Sequence, residues 1–187
     1  MGRPGKGIGK GCFALFGIAF SVFLLFSAKS PSALILSAAI HEAGHIACGF
    51  FLSGQLPYPE IKTLGLRLCY PSLPSAFSKA AVSMSGPALS LISGVIFKEY
   101  EMFSLYCISL GIINLLPCKG LDGGNILGAL CEKYFDAGMS QRTVNSISSV
   151  SILLFFGLNC AVQLKYGTNI SLAVLSVFLT VSVLGRE

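Results

Sequence analysis

Both histidines of the 187-residue chain lie in one pentapeptide, His41-Glu42-Ala43-Gly44-His45. On a helix, positions i and i+4 share a face, so the two imidazoles can bind one metal ion. Glu42 sits beside them, where a carboxylate can take a proton from water activated by the ion. A catalytic zinc site usually needs a third protein ligand and one open position. Of the acidic residues, Glu60, Glu99, Glu101, Glu132, Asp136 and Glu187 fall in expected loops or at a terminus. Asp122 differs, because it follows the apolar run 105–116 and is flanked by Leu121 and by Gly123-Gly124. Glycines allow close backbone approach, and non-helical backbone at membrane depth is tolerated where it lines a cavity. Asp-Gly is equally the composition of an ordinary turn. The residues alone leave both readings of Asp122 open.

The elements that must position these groups are apolar. Hydrophobic residues make up 53 % of the chain and charged residues 11 %, with a mean hydropathy of +0.77. That balance excludes a disordered chain, a coiled coil and most soluble enzymes, and it fits an integral membrane protein. The expected fold class is an all-α polytopic membrane protein. About six transmembrane helices are expected, over 12–28, 31–52, 79–97, 102–117, 145–164 and 168–185. Each is close to the roughly 20 residues needed to cross hydrocarbon. The motif lies in the middle of the second, where unpaired ionisable groups cost several kcal/mol. A cleaved leader is not expected at 12–28, because Lys29-Ser30-Pro31 is a poor cleavage site and the chain stays apolar beyond it. Gly9-Lys10 is not a phosphate loop, since Gly11 stands where Ser or Thr is needed. Between the second and third spans, 60–63 and 66–70 flank Leu64-Gly65 and read as a small β-hairpin bounded by prolines.

The net charge of +5 sets orientation here and gives no reason to expect a nucleic-acid partner. With the amino terminus inside, Arg3, Lys6, Lys10, Lys62, Arg67, Lys79, Lys119, Lys133, Arg142 and Arg186 face inward. Only Lys29, Lys98 and Lys165 face outward. That bias places both termini in the cytoplasm. The seven cysteines lie apart, mostly in apolar runs, and read as small fillers.

His41-Glu42-Ala43-Gly44-His45, followed by Asn114-Leu115-Leu116-Pro117-Cys118-Lys119-Gly120-Leu121-Asp122-Gly123, resembles the site-2 protease family of intramembrane zinc metalloproteases. The family pattern is HExxH, then NxxPxxxxDG on a later core helix, and both match at every specified position. A third feature, a small residue before Gly-Pro, is similar to Ser85-Gly86-Pro87. There the family often has Asn three residues after the proline, where this chain has Ser90. The resemblance covers about 31–130 and looks most like the short bacterial, sporulation-type members, without a PDZ domain or a nucleotide-sensing (CBS) domain. It implies that His41, His45 and Asp122 hold Zn2+ and that Glu42 is the general base. It implies that Asn114 lies near the catalytic centre, positioning substrate or the developing oxyanion. Pro117 would break the helix so that Asp122 reaches the metal. Cys118 is set aside as a ligand in favour of Asp122. Gly86, Ser90 and Gly94 repeat at four-residue spacing, which suits close helix packing, and that role is preferred to a catalytic one.

The implied reaction is hydrolysis of peptide bonds within or near transmembrane segments of membrane-protein substrates. A single protease domain over 1–187 is expected, with a core at about 31–130. The expected location is the bacterial cytoplasmic membrane. Partners would be a transmembrane protein or peptide substrate, the lipid bilayer and a regulatory membrane partner. Two alternatives stand beside it: a non-proteolytic zinc-binding scaffold or transporter-like protein, and a zinc hydrolase of non-peptide substrates. Iron or cobalt in place of zinc stays open.

Overall fold

Pro31 opens the first described helix at the position where its missing N–H costs nothing. That helix, α1 (Pro31–Ser53), runs for 23 residues, about 34 Å at 1.5 Å per residue. It stops at Gly54, whose φ of 68° turns the chain left-handed while its N–H returns to Phe50 O. The structure is a computed structural model and describes residues 28–62, 65–69, 73 and 75–166. The expected spans at 12–28 and 168–185 lie outside these residues.

After α1, two strands β1 (Tyr58–Lys62) and β2 (Gly65–Cys69) pair antiparallel, Tyr58 opposite Cys69 and Lys62 opposite Gly65. The turn between them is outside the described residues. Four helices follow: α2 (Ala76–Ile96), α3 (Glu101–Asn114), α4 (Asp122–Tyr134) and α5 (Ala137–Tyr166). Ser75 caps α2 by accepting the Ser78 N–H at 3.1 Å. Among the described residues, three helices are long and apolar enough to cross a membrane: Pro31–Ser53, Ala76–Ile96 and Ala137–Lys165.

The interior is built the opposite way from that of a soluble domain. Its fully buried side chains are small: Ser37, Ser90, Ser148, Cys107, Cys118 and Pro87. Large apolar side chains point outward, with Phe51 90 % and Leu164 89 % exposed. Lipid removes the penalty for that exposure, and small residues inside let backbones approach closely. The chain is therefore an integral membrane protein. Helix α2 is the hub, packing against α1, α3 and α4. At Gly44 on α1, an added Cβ would sit 2.6 Å from Ser85 O. Ser85 Oγ donates to Gly44 O at 3.0 Å across the same contact. On the other flank, Ser104 Oγ of α3 donates to Gly94 O of α2 at 2.7 Å.

Three expectations change. The fourth span, expected over 102–117, is a 14-residue helix ending at Asn114, too short to cross by itself. Helix α4 was not anticipated as an element. Gly123, Gly124 and Gly128 depress its helix propensity, and its helical state depends on packing against α2. Helix α5 begins at Ala137 rather than 145, because an apolar window marks where hydrocarbon begins and not where the helix does.

The packing yields a test. Gly44→Ala places a methyl against backbone and is expected to destabilise by about 1–3 kcal/mol. Gly128→Ala meets nothing within 4 Å and gains helix propensity, so it is expected to be neutral or stabilising. Thermal unfolding of the two variants in one detergent checks this; equal midpoints would refute the close α1–α2 contact.

Candidate metal centre

Helix α1 turns His41 and His45 toward α2, where both are buried. Their rings meet edge to face, with centroids 4.9 Å apart and planes at 78°. The two Nε2 atoms are 3.2 Å apart. Asp122, the first residue of α4, brings Oδ2 to 3.0 Å from His41 Nε2 and 3.2 Å from His45 Nε2. Three donor atoms thus form a nearly equilateral triangle. Donors about 2.0–2.1 Å from a tetrahedral ion lie about 3.3–3.4 Å from one another, so the triangle fits one face of such a site.

The opposite ring nitrogens explain the orientation. His45 Nδ1–H donates to Val82 O at 2.7 Å. A carbonyl only accepts, so the proton of the neutral ring is on Nδ1 and Nε2 carries a lone pair. His41 Nδ1 lies 3.0 Å from Ser90 Oγ. Lone pairs converging on a carboxylate oxygen repel unless a proton or a cation lies between them. The donor set therefore fits a divalent metal.

Glycines make room for this convergence. A Cβ on Gly86 would overlap the His45 imidazole. A Cβ on Gly123 would overlap the Leu115 and Leu116 carbonyls, and one on Gly124 the Cys118 carbonyl. The start of α4 is therefore seated directly under the turn that follows α3. That turn uses Gly120 at φ 102°. It is tied to α5 by Ser148, which accepts the Lys119 N–H at 2.9 Å and donates to Pro117 O at 3.3 Å. Cys118 is 1 % exposed and is not in the ligand cluster.

Glu42 lies on the exposed side of α1 and has no hydrogen bond or ion pair among the described residues. Asn114 closes α3 and donates from Nδ2 to Leu110 O at 3.0 Å, within its own helix. Neither joins the ligand triangle. Two contacts were not foreseen. Ser90 reads as a packing residue in the sequence, yet its hydroxyl meets a ligand ring. The Val82 carbonyl carries no sequence signal, since every residue has one.

Fold and site together define a helical membrane bundle with a cluster of two buried histidines and a half-buried aspartate able to hold a metal. A family model described as Peptidase family M50 matches residues 98–158. Stage IV sporulation protein FB of Bacillus subtilis is 32 % identical over 174 residues, which is 82 % of this chain and 57 % of that protein. A putative zinc metalloprotease of Lactococcus lactis is 32 % identical over 118 residues, 63 % of this chain and 27 % of its own length. The chain thus spans little more than half of the first relative and about a quarter of the second. The solved site-2 protease of Methanocaldococcus jannaschii superposes with a TM-score of 0.64 at 23 % identity, covering 94 % of this chain and 88 % of that one. Residues 98–158 thus carry the sequence pattern of peptidase family M50, the chain is similar to members of that family, and its fold is that of the solved site-2 protease.

Gly86 offers the sharpest check on the site's geometry. Gly86→Ala must displace the His45 ring, and metal affinity is expected to fall at least tenfold, as when an orienting neighbour is lost. Metal content after equilibration with a graded chelator measures this. Unchanged retention would mean that His45 does not hold the ion in this orientation.

Proposed function

We propose that the chain is an intramembrane zinc metalloprotease that hydrolyses peptide bonds within or near transmembrane segments. The observation that carries this reading is the triangle of His41 Nε2, His45 Nε2 and Asp122 Oδ2 inside a bundle faced with apolar side chains. These three residues hold the ion. Bound there, zinc polarises the scissile carbonyl and makes water acidic enough to be deprotonated near neutral pH. Glu42 follows His41 directly and carries no competing partner among the described residues. Its carboxylate takes the proton of the attacking water and passes it to the leaving amine. Asn114 uses one amide hydrogen on Leu110 O, and the second is offered to the substrate carbonyl.

The catalytic core of the protease covers about 31–130, and α5 flanks it. Both termini lie in the cytoplasm of a bacterial cell, and cleavage falls toward that side. A helical substrate hides its carbonyls in its own hydrogen bonds and must unwind first. The β1–β2 pair supplies an edge on which the unwound stretch is held as an added strand. A regulatory membrane partner controls access.

Glu42→Gln and Asp122→Ala divide the scheme. Wild type and Glu42→Gln are expected to hold one zinc per chain, while cleavage of a membrane substrate falls by about 10²–10⁴-fold in Glu42→Gln. Asp122→Ala is expected to lose zinc. Cleavage that survives Glu42→Gln would remove Glu42 as the base. Zinc binding without cleavage in the wild type, across a panel of transmembrane substrates, would favour the scaffold or transporter reading. A full zinc complement in Asp122→Ala would return Asp122 to a turn residue.

The strand edge has its own test. Single prolines stepped from Leu66 to Tyr70 remove one backbone N–H each. At least one is expected to slow cleavage of a helical substrate by tenfold or more, with zinc content unchanged. A series cleaved at wild-type rate throughout would sink strand addition.

A further inference from the structure

Each ligand imidazole has a second nitrogen, and the two are held by different means. His45 Nδ1 is held by a backbone carbonyl, Val82 O, which no substitution removes. His41 Nδ1 is held by one side chain, Ser90, at 3.0 Å. Ser90 is 0 % exposed and lies on α2, one turn beyond Gly86, against the ring of α1 that it touches. A hydroxyl with no access to water needs a partner, and a ligand imidazole needs its second nitrogen fixed. Each meets the other's requirement. Small-residue packing alone would be satisfied by alanine at this position and would leave the direction of the hydroxyl unexplained.

We propose that Ser90 is a positioning residue for the metal centre. Its oxygen accepts the His41 Nδ1–H, which fixes the tautomer with the Nε2 lone pair toward Asp122 and sets the ring's rotation. This rests on the reading of His41, His45 and Asp122 as a zinc site, and it adds a residue outside the ligand set. Here a short hydroxyl is the acceptor, and among the described residues no second acceptor meets His41 Nδ1 to compensate its loss.

The experiment compares wild type, Ser90→Ala and Ser90→Thr in full-length detergent-solubilised protein. Zinc affinity is read by chelator competition, and ligand geometry by the visible spectrum of the cobalt-loaded form. With only two histidines, ring ¹⁵N–¹H spectra of the zinc-loaded protein report each Nδ1–H separately. Ser90→Ala is expected to weaken zinc ten- to a hundredfold, to alter the cobalt bands and to lose the protected His41 N–H signal. The His45 signal stays, as an internal control for folding. Ser90→Thr, which keeps the hydroxyl, restores affinity and signal. Equal affinity, equal cobalt bands and a retained His41 signal in Ser90→Ala would overturn the proposal and leave Ser90 a packing residue. A wild type that binds no zinc would instead overturn the metal-site reading itself.

Discussion

Two imidazoles and a carboxylate inside a bundle bounded by hydrocarbon create the constraint around which the other contacts are arranged. Ionisable groups there cost several kcal/mol unless they are paired or metal-bound. His41, His45 and Asp122 meet that demand by converging on one point. Convergence requires each ring to spend its other nitrogen elsewhere, on Val82 O and on Ser90 Oγ. It also requires α1, α2 and α4 to approach more closely than ordinary side chains permit. The glycines at 44, 86, 123 and 124 meet this second requirement, each facing backbone or a ligand ring.

The same constraint explains the length of α3. Asp122 must lie at the depth of the histidines, although it comes from a part of the chain that has just left a helix. Stopping α3 at Asn114 and folding 115–121 into a turn leaves the next helix to begin at the ligand itself. A turn at that depth exposes backbone groups that lipid cannot satisfy. Ser148 of α5 takes up the Lys119 N–H and the Pro117 carbonyl. Helix α5 is remote from the ligands, yet it completes the polar accounting of the turn that delivers one of them.

How much of this was legible in the sequence depends on the type of signal. The helical repeat of His41 and His45 gave their shared face directly, because i and i+4 spacing needs no tertiary information. Asp122 was singled out by its neighbours, yet only the family pattern separated a ligand from a turn. The apolar runs located α1, α2 and the membrane part of α5. They missed α4, whose glycines argue against a helix until its packing partners are known. They also missed the polar first turns of α5. Ser90 was visible only as a small residue in a four-residue repeat. Its bond to His41 joins positions far apart in sequence, and no local pattern encodes which way a hydroxyl points.

Because the cluster able to hold a metal draws on α1 and α4 while the groups that orient its rings come from α2, metal binding there would be coupled to bundle packing. An ion that binds only the assembled bundle stabilises it by about 2.7 kcal/mol at a hundred times its dissociation constant. The energy is carried through contacts with no slack, since an added methyl at Gly44 or Gly86 would meet backbone or a ligand ring. Glu42 is exposed and makes no hydrogen bond to the His-His-Asp cluster. The two imidazoles are buried and each is held at both ring nitrogens, whereas the Glu42 carboxylate is exposed. In the proposed reaction a base locked into the His-His-Asp network would be held by its partners; an exposed Glu42 is free to face water before cleavage and the leaving amine after it.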